Sequence, residues 1–127
     1  MNVFDSSALL AMIFSEPGGA KVATLLGESR GVVSAANLAE VVSKMLDHGF
    51  DETSLQAVLA ELPADVALLS QDQAVAAGML RSSTRQLGLS LGDRCCLALA
   101  AEHSNAQIIT ADRPWKQLKG FRVTLVR

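Results

Sequence analysis

Short apolar runs alternate along the chain with longer segments in which apolar residues recur every three or four positions. The short runs are typical of buried strands, and the longer segments are typical of helices that face a core. The pattern predicts five strands, at residues 3–4, 31–34, 66–69, 108–110 and 122–126. Strands that alternate with helices indicate an α/β fold with a central parallel sheet and helices on both faces.

The predicted helices cover residues 8–14, 20–26, 35–46, 51–63, 71–87 and 92–103, and a short helix follows Asp112. The clearest is 35–46, whose apolar stripe is formed by Leu38, Val41, Val42, Met45 and Leu46. Segment 92–103 is apolar almost all round, which predicts a buried helix. Segment 71–87 is predicted as one long helix although it contains Gly78.

The size and composition predict one globular domain that spans residues 1–127. Half of the residues are apolar, which excludes a disordered chain. One Trp, four Phe and no Tyr are too few for a broad platform on which bases stack. The net charge of −2 also gives no overall basic footprint for nucleic acid.

The ends and the cysteines bear on the cellular setting. The first residues lack the basic region and the cleavage site of a signal peptide, and no apolar run is long enough to span a membrane. Cys95 and Cys96 are adjacent, so a structural disulfide between them is not expected. Neighbouring helix residues point about 100° apart, which disfavours a shared metal ion and favours buried thiols. We therefore expect a reduced, cytoplasmic protein.

Three aspartates occupy positions where a purely structural role would also explain them. Asp5 and Asp112 each follow a predicted strand, where an Asp commonly caps a helix. Asp93 lies three residues after Ser90, which is the spacing of a capping box. However, the helix that carries Asp93 is so apolar that an acid on it is costly without a partner.

Glu40 has no such position at a helix end. It lies on the side of its helix opposite the apolar stripe, beside Ala36, Ala39 and Ser43. Periodicity alone therefore favours a solvated acid, although the small neighbours would let another element approach closely.

Considered together, the aspartates indicate a metal site. The carboxyl ends of parallel strands share one edge of a sheet, which would bring acids from distant parts of the chain together. Two carboxylates about 5 Å apart repel by roughly 3 kcal/mol at an effective dielectric constant near 20, so such a group calls for a cation. Oxygen ligands without His or Cys suit Mg²⁺ or Mn²⁺, which could activate water for attack on a phosphodiester.

Four segments carry a family resemblance: VFDSSAL at 3–9, SAANLAEV at 34–41, LGDRCCLALA at 91–100 and ITAD at 109–112. In this order they resemble the PIN-domain ribonucleases, specifically the VapC-type toxins of bacterial toxin–antitoxin pairs. The resemblance implies a PIN-like three-layer α/β/α sandwich and RNA cleavage that depends on Mg²⁺ or Mn²⁺. It also implies that Asp5, Glu40, Asp93 and Asp112 form the metal cluster.

The resemblance extends to supporting residues and partners. Thr110 and Ser6 match polar residues that support the cluster, whereas Trp115 stands where the pattern more often has Phe or a smaller apolar residue. We read Trp115 as a packing residue. Arg94 and Arg113 adjoin cluster acids and are candidates for contacts to RNA phosphates, with ion pairing to the acids as the competing role. The generous apolar helix surface suggests a homodimer and a groove for a helix of the antitoxin.

Two other functions fit parts of the pattern. Haloacid-dehalogenase-like phosphatases also begin with a strand followed by Asp, but they require a second Asp where this chain has Ser7. A non-catalytic module that binds RNA or protein at the sheet edge would tolerate Asp→Asn changes and have no metal-dependent activity.

Overall fold

The computed structural model describes all residues from 1 to 127. Its core is a five-stranded sheet with the order β3-β2-β1-β4-β5, and every pair of neighbouring strands is parallel. The strands are β1 (Asn2–Phe4), β2 (Gly31–Ser34), β3 (Ala64–Ala67), β4 (Gln107–Thr110) and β5 (Arg122–Leu125). The predicted parallel α/β fold is thus confirmed.

Seven α-helices and two 3₁₀ turns connect the strands. The helices are α1 (Ser6–Ile13), α2 (Gly19–Glu28), α3 (Ala35–Asp47), α4 (Glu52–Glu61), α5 (Gln71–Met79), α6 (Arg81–Thr84) and α7 (Leu91–Ala101). The 3₁₀ turns are Arg85–Leu87 and Arg113–Gln117. None of the helices combines the length and the apolar composition that a membrane span requires.

The sheet is covered on both faces, as the period of two along each strand requires. Phe4 and Ile109 belong to the apolar cluster that includes residues of α1 to α4. Their neighbours Val3 and Ile108 belong to a second cluster with α7 and Trp115. These two clusters are the two interfaces of a three-layer α/β/α sandwich. Residues 94–100 of α7 are all buried, which confirms the prediction for that helix.

The sheet order reverses direction between β1 and β4. From β1 the chain adds β2 and then β3 on one side, and β4 and β5 later extend the other side. Such a switch point opens a crevice at the carboxyl ends of the strands, where α/β proteins bind ligands. Asp5 directly follows β1, and Asp112 lies two residues beyond β4.

Two sequence predictions differ from the structure. The third strand is 64–67 and not 66–69, because β3 lies at the sheet edge and leaves Leu68 83% exposed. Segment 71–87 is not one helix, since α5 ends at Met79. The hydroxyl of Thr84 donates to the carbonyl of Leu80 at 2.8 Å, and the chain then tightens into the 85–87 turn. Hydroxyl side chains that compete for backbone carbonyls favour such breaks.

Smaller differences concern α3 and the last turn. Val41 and Met45 are buried as the stripe predicts, but Leu46 is 54% exposed. The short helix expected after Asp112 is a 3₁₀ turn with Pro at its start, and it holds Trp115 in the core.

Candidate metal centre

Asp5, Asp93 and Asp112 meet at the crevice between β1 and β4. Each contributes one carboxylate oxygen to a group in which all oxygens lie within 4.8 Å of one another. The residues come from the end of β1, the first turn of α7 and the segment after β4. The topology therefore gathers three acids that are far apart in sequence.

The Asp5 carboxylate is only 1% exposed and is held through one oxygen. Its Oδ2 accepts hydrogen bonds from the hydroxyl of Ser7 at 2.6 Å and from the hydroxyl of Thr110 at 3.0 Å. The other oxygen, Oδ1, is buried and has no hydrogen-bond partner. A buried carboxylate oxygen without a partner is unfavourable unless a proton or a cation compensates it.

Ser7 links the start of α1 to the end of β4, and it is not among the site residues predicted from the sequence. Besides its bond to Asp5, its hydroxyl oxygen accepts from the backbone N–H of Ala111 at 2.9 Å. The hydroxyl of Thr110 lies 3.2 Å away and accepts from the N–H of Asp112 at 3.1 Å. These bonds fix the two strand ends that carry Asp5 and Asp112.

Asp93 caps α7 and also belongs to the group of three acids, which are the two roles that its sequence position indicates. Its Oδ2 accepts from the N–H of Ser90 at 2.8 Å, and its own N–H donates to the Ser90 hydroxyl at 3.1 Å, which completes the capping box. The cap occupies one oxygen, and no residue of the chain donates to the other. Asp112 stands at the N-cap of the 113–117 turn but makes no capping bond with its side chain. Capping therefore does not explain the position of Asp112.

Glu40 lies beside the three aspartates and is not part of the 4.8 Å group. Its Oε1 accepts from the Ser6 hydroxyl at 2.8 Å and from the Asn37 amide at 2.9 Å. Glu40 is therefore a half-buried, oriented acid, and the solvated position favoured by periodicity is wrong. Ser6, predicted to support the cluster, contacts Glu40 and not Asp5.

Asn37 orients Glu40 and Gly92 leaves room for it, and neither residue is among the site residues predicted from the sequence. Asn37 is fully buried, and its amide also donates to the carbonyl of Gly92 at 2.9 Å. A Cβ at Gly92 would overlap the carboxylate of Glu40, so only glycine at this position lets that carboxylate stay where Asn37 holds it. Two signals were available: the i, i+3 spacing of Asn37 and Glu40, and a glycine inside the first turn of a helix.

The electrostatics of the cluster favour binding of a positive charge. Burial, and then the charges of Asp93 and Asp112, raise the pKa of Asp5 to about 7, against the opposing hydrogen bonds from Ser7 and Thr110. Burial also raises the pKa of Asp93, with smaller contributions from Asp112 and Glu40. The pKa of Asp112 is likewise raised, mainly by burial, while Arg127 opposes the shift. The fully ionised cluster is therefore electrostatically unfavourable unless a proton or a cation binds to it.

These residues fit a hard divalent cation. The donors are carboxylate oxygens alone, as Mg²⁺ and Mn²⁺ prefer, and the unpartnered Oδ1 of Asp5 is an oxygen for which a cation would compensate.

Cys96 is fully buried nearby, and burial raises its thiol pKa well above the usual range. The expected buried, unbridged thiols of Cys95 and Cys96 are confirmed.

The two arginines predicted to contact phosphate differ in exposure. Arg113 is exposed beside Asp112. Arg94 is only 6% exposed, and its guanidinium donates to the carbonyl of Ala77 on α5 at 3.0 Å. Successive helix residues point about 100° apart, so the turn that directs Asp93 to the cluster directs Arg94 to α5. A phosphate contact by Arg94 therefore does not fit the structure, and we correct that prediction.

Comparisons with known proteins agree with this architecture. A family model described as the PIN domain matches residues 3–120. Among curated proteins, no sequence is similar enough to count as a relative.

Solved structures with the same fold come from several bacteria. A toxin–antitoxin complex from Klebsiella pneumoniae aligns with a TM-score of 0.72 at 21% identity, over 100% of this chain and 98% of the other. DNA-bound VapBC from Salmonella typhimurium aligns with a TM-score of 0.75 at 16% identity, over 99% and 98%. Mycobacterium tuberculosis VapC20, described as a sarcin–ricin loop cleaving toxin, aligns with a TM-score of 0.77 at 13% identity, over 95% and 96%. At these identities the likeness shows a shared fold.

Proposed function

The chain belongs to the PIN domain family, and from this we propose that it is a metal-dependent endoribonuclease that acts as the toxin of a toxin–antitoxin pair. The observation that carries the proposal is the group of three carboxylate oxygens within 4.8 Å, one of whose residues, Asp5, has an unpartnered buried oxygen. The toxin–antitoxin complexes among its structural neighbours support the biological role. The proposed setting is the cytoplasm.

Asp5, Asp93 and Asp112 would hold Mg²⁺ or Mn²⁺, and Glu40 would add a fourth negative charge beside them. When bound, such an ion supplies Lewis-acid stabilisation of charge on a phosphate and lowers the pKa of water. The residues of the chain keep the acids in place. Ser7 and Thr110 keep Asp5 in one orientation, and the capping box does the same for Asp93.

Glu40 is the acid whose position suggests a role beyond charge. Ser6 and Asn37 both donate to Oε1, and no residue of the chain donates to Oε2. This second oxygen is therefore available to accept a proton or a hydrogen bond from water at the edge of the cluster. An oriented carboxylate with a free oxygen is suited to general-base work, and no histidine takes part in the cluster.

Two partner surfaces accompany the proposal. An apolar groove of about 440 Å³ between α1 and α4 is lined by Met12, Ile13, Val58, Leu62 and their neighbours. We assign it to an apolar helix of the antitoxin, in the helix-in-groove mode. Exposed apolar side chains elsewhere support a homodimer: Leu46, Val75, Met79 and Leu91 are each more than half exposed.

The test is RNA cleavage mapping with the purified protein, with and without Mg²⁺. Wild-type protein should cut single-stranded RNA at defined bonds only with the ion, and Asp5→Asn or Asp93→Asn should abolish cutting. Asp47→Asn, at an exposed position at the end of α3, is the matched control and should cut normally. Undiminished cleavage by the two cluster variants would refute the assignment. Hydrolysis of small phosphomonoesters without RNA cleavage would favour the phosphatase alternative.

A further inference from the structure

Two cavities open side by side next to the acid cluster, and Leu87 lines both of them. The smaller, of about 170 Å³, is bounded by Asp93 and Asp112. Its apolar lining is formed by Leu87, Leu89, Pro114 and the largely buried Trp115. We call it the inner cavity.

The inner cavity has the size and chemistry of a seat for one flat ring. A dry protein cavity of about 150 Å³ holds one benzene ring, so a cavity of about 170 Å³ suits a single base and not a stacked pair. Apolar walls suit the faces of a base. The adjacent acids, through the cation they would hold, suit the phosphate attached to the same nucleotide.

The outer cavity lies beyond Leu87 and measures about 380 Å³. Its lining includes the polar side chains of Ser83, Gln86, Gln117 and Lys119. Hydroxyl and amide groups can pair with base edges or ribose, and Lys119 supplies a charge for phosphate. The two cavities together therefore provide room for consecutive nucleotides on one side of the cluster.

The distribution of charge around these cavities also favours binding of RNA. The structure contains only two salt bridges, Arg30 with Asp65 and Arg127 with Glu16. Lys119 lines the outer cavity directly. It is one of six exposed basic residues without an ion pair that lie in or next to the segments 83–89 and 112–121: Arg81, Arg85, Arg113, Lys116, Lys119 and Arg122. The net charge of −2 conceals this local excess of positive charge.

We propose that single-stranded RNA runs along the cleft between residues 83–89 and 112–121, with the base next to the scissile phosphate seated in the inner cavity. The proposal rests on the ribonuclease function proposed above and adds the path of the substrate and the origin of its site preference. A seated base must be unpaired and unstacked, so the substrate is a loop or a single strand.

The first experiment needs no variant of the protein. Wild-type protein and Mg²⁺ are given the mapped RNA, the same RNA with an abasic residue beside the scissile bond, and a control RNA with the abasic residue several nucleotides away. We expect about tenfold slower cleavage at the mapped bond for the first abasic RNA only, because stacking contacts to a single base are typically worth about 5- to 150-fold. Equal rates for all three RNAs would overturn the inner-cavity assignment.

The second experiment fills the cavity. Leu89→Trp should slow cleavage of the normal RNA by about tenfold and leave the abasic RNA unaffected, since that RNA no longer uses the seat. Leu68→Trp, at an exposed position beyond the edge strand β3, is the control and should change neither rate. A Leu89→Trp protein that cuts both RNAs as the wild type does would overturn the proposal.

The third measurement concerns charge. Lys119→Gln should reduce the dependence of RNA affinity on log salt by about one, whereas Lys21→Gln on α2 should leave it unchanged. Equal salt slopes for the two variants would remove Lys119 from the path. If wild-type protein cuts no RNA at all, the ribonuclease function and this proposal fall together. Cutting that is lost in Asp93→Asn but indifferent to the base and to Leu89→Trp would overturn this proposal alone.

Discussion

Replacing Asp5 by Asn should make the metal-free protein more stable at pH 8, although it removes a residue proposed for the active site. The pKa of Asp5 is raised to about 7 by burial and by its acidic neighbours. In the unfolded chain an aspartate has a pKa of about 3.9, and each pKa unit corresponds to about 1.4 kcal/mol. Above pH 7 the ionised Asp5 therefore costs the folded state about 4 kcal/mol.

The amide recovers part of this cost. Its oxygen can still accept from Ser7 and Thr110, but its NH₂ group takes the place of the unpartnered Oδ1. A buried donor without a partner costs about 1–3 kcal/mol, which leaves a net gain of roughly 2 kcal/mol for Asp5→Asn. In a domain of this size that gain raises Tm by about 8 °C.

The sign depends on pH. Because the folded-state pKa is raised, the folded protein binds more protons than the unfolded chain between about pH 4 and 7. The wild type therefore loses stability as the pH rises through this window, and Asp5→Asn removes the part of this loss that comes from Asp5. At pH 5 Asp5 is largely protonated in the folded state, and the advantage of Asp5→Asn should vanish.

The assay is thermal unfolding in a chelator at pH 5 and pH 8, followed by circular dichroism. Asp47→Asn, which changes an exposed acid outside the cluster, should shift the unfolding free energy by less than about 0.5 kcal/mol at either pH. An Asp5→Asn protein no more stable than wild type at pH 8, with the same pH dependence, would refute the electrostatic reasoning.

Three further predictions follow from the same geometry. Mg²⁺ at about 100 times its Kd should stabilise the wild type by about 2.7 kcal/mol in thermal unfolding and should not stabilise Asp93→Asn. The affinity for Mg²⁺ should rise with pH up to about 7 as Asp5 loses its proton. Calorimetry that finds equal stabilisation of both proteins would contradict this prediction. Gly92→Ala should displace the Glu40 carboxylate and lower RNA cleavage by about tenfold or more, with little change in Tm. Gly27→Ala is the control: Gly27 has open space around it, and its replacement should leave cleavage unchanged. Ser7→Ala should lower the unfolding free energy by about 1–3 kcal/mol, because it leaves the N–H of Ala111 without its partner, and a denaturant titration that shows no loss would contradict the linking role of Ser7.

Much of the fold could be predicted because its signals are local. A short apolar strand followed by Asp and two serines gives β1, Asp5 and α1 from one stretch of sequence. The apolar composition of α7 likewise predicts its burial. The predicted third strand, 66–69, begins two residues later than β3, because Leu68 and Leu69 are apolar and yet exposed. A strand at the edge of the sheet does not require its apolar side chains to face the core.

The site was only partly predictable from the residues themselves. Helix periodicity placed Glu40 in solvent, because the period says which side faces the core but not that α7 approaches the opposite side through Gly92. The family resemblance supplied Glu40 instead. The burial of Arg94 depends on where α5 lies relative to α7, which no local pattern contains. Besides its local contact with Glu40, Asn37 donates to a residue 55 positions away, and Ser7 accepts from a residue 104 positions away. Local patterns reveal neither of these two distant bonds.

The capping box at the start of α7 makes one carboxylate serve both the helix and the cluster. Fraying of that first turn would carry Asp93 away from Asp5 and Asp112, so the group of three aspartates exists only while the turn is helical. If the proposed cation binds there, its release would accompany unfolding of this turn, and the backbone of the turn would be more protected when the cation is bound. Slower amide hydrogen exchange at Asp93 and Arg94 on addition of Mg²⁺ would be its signature.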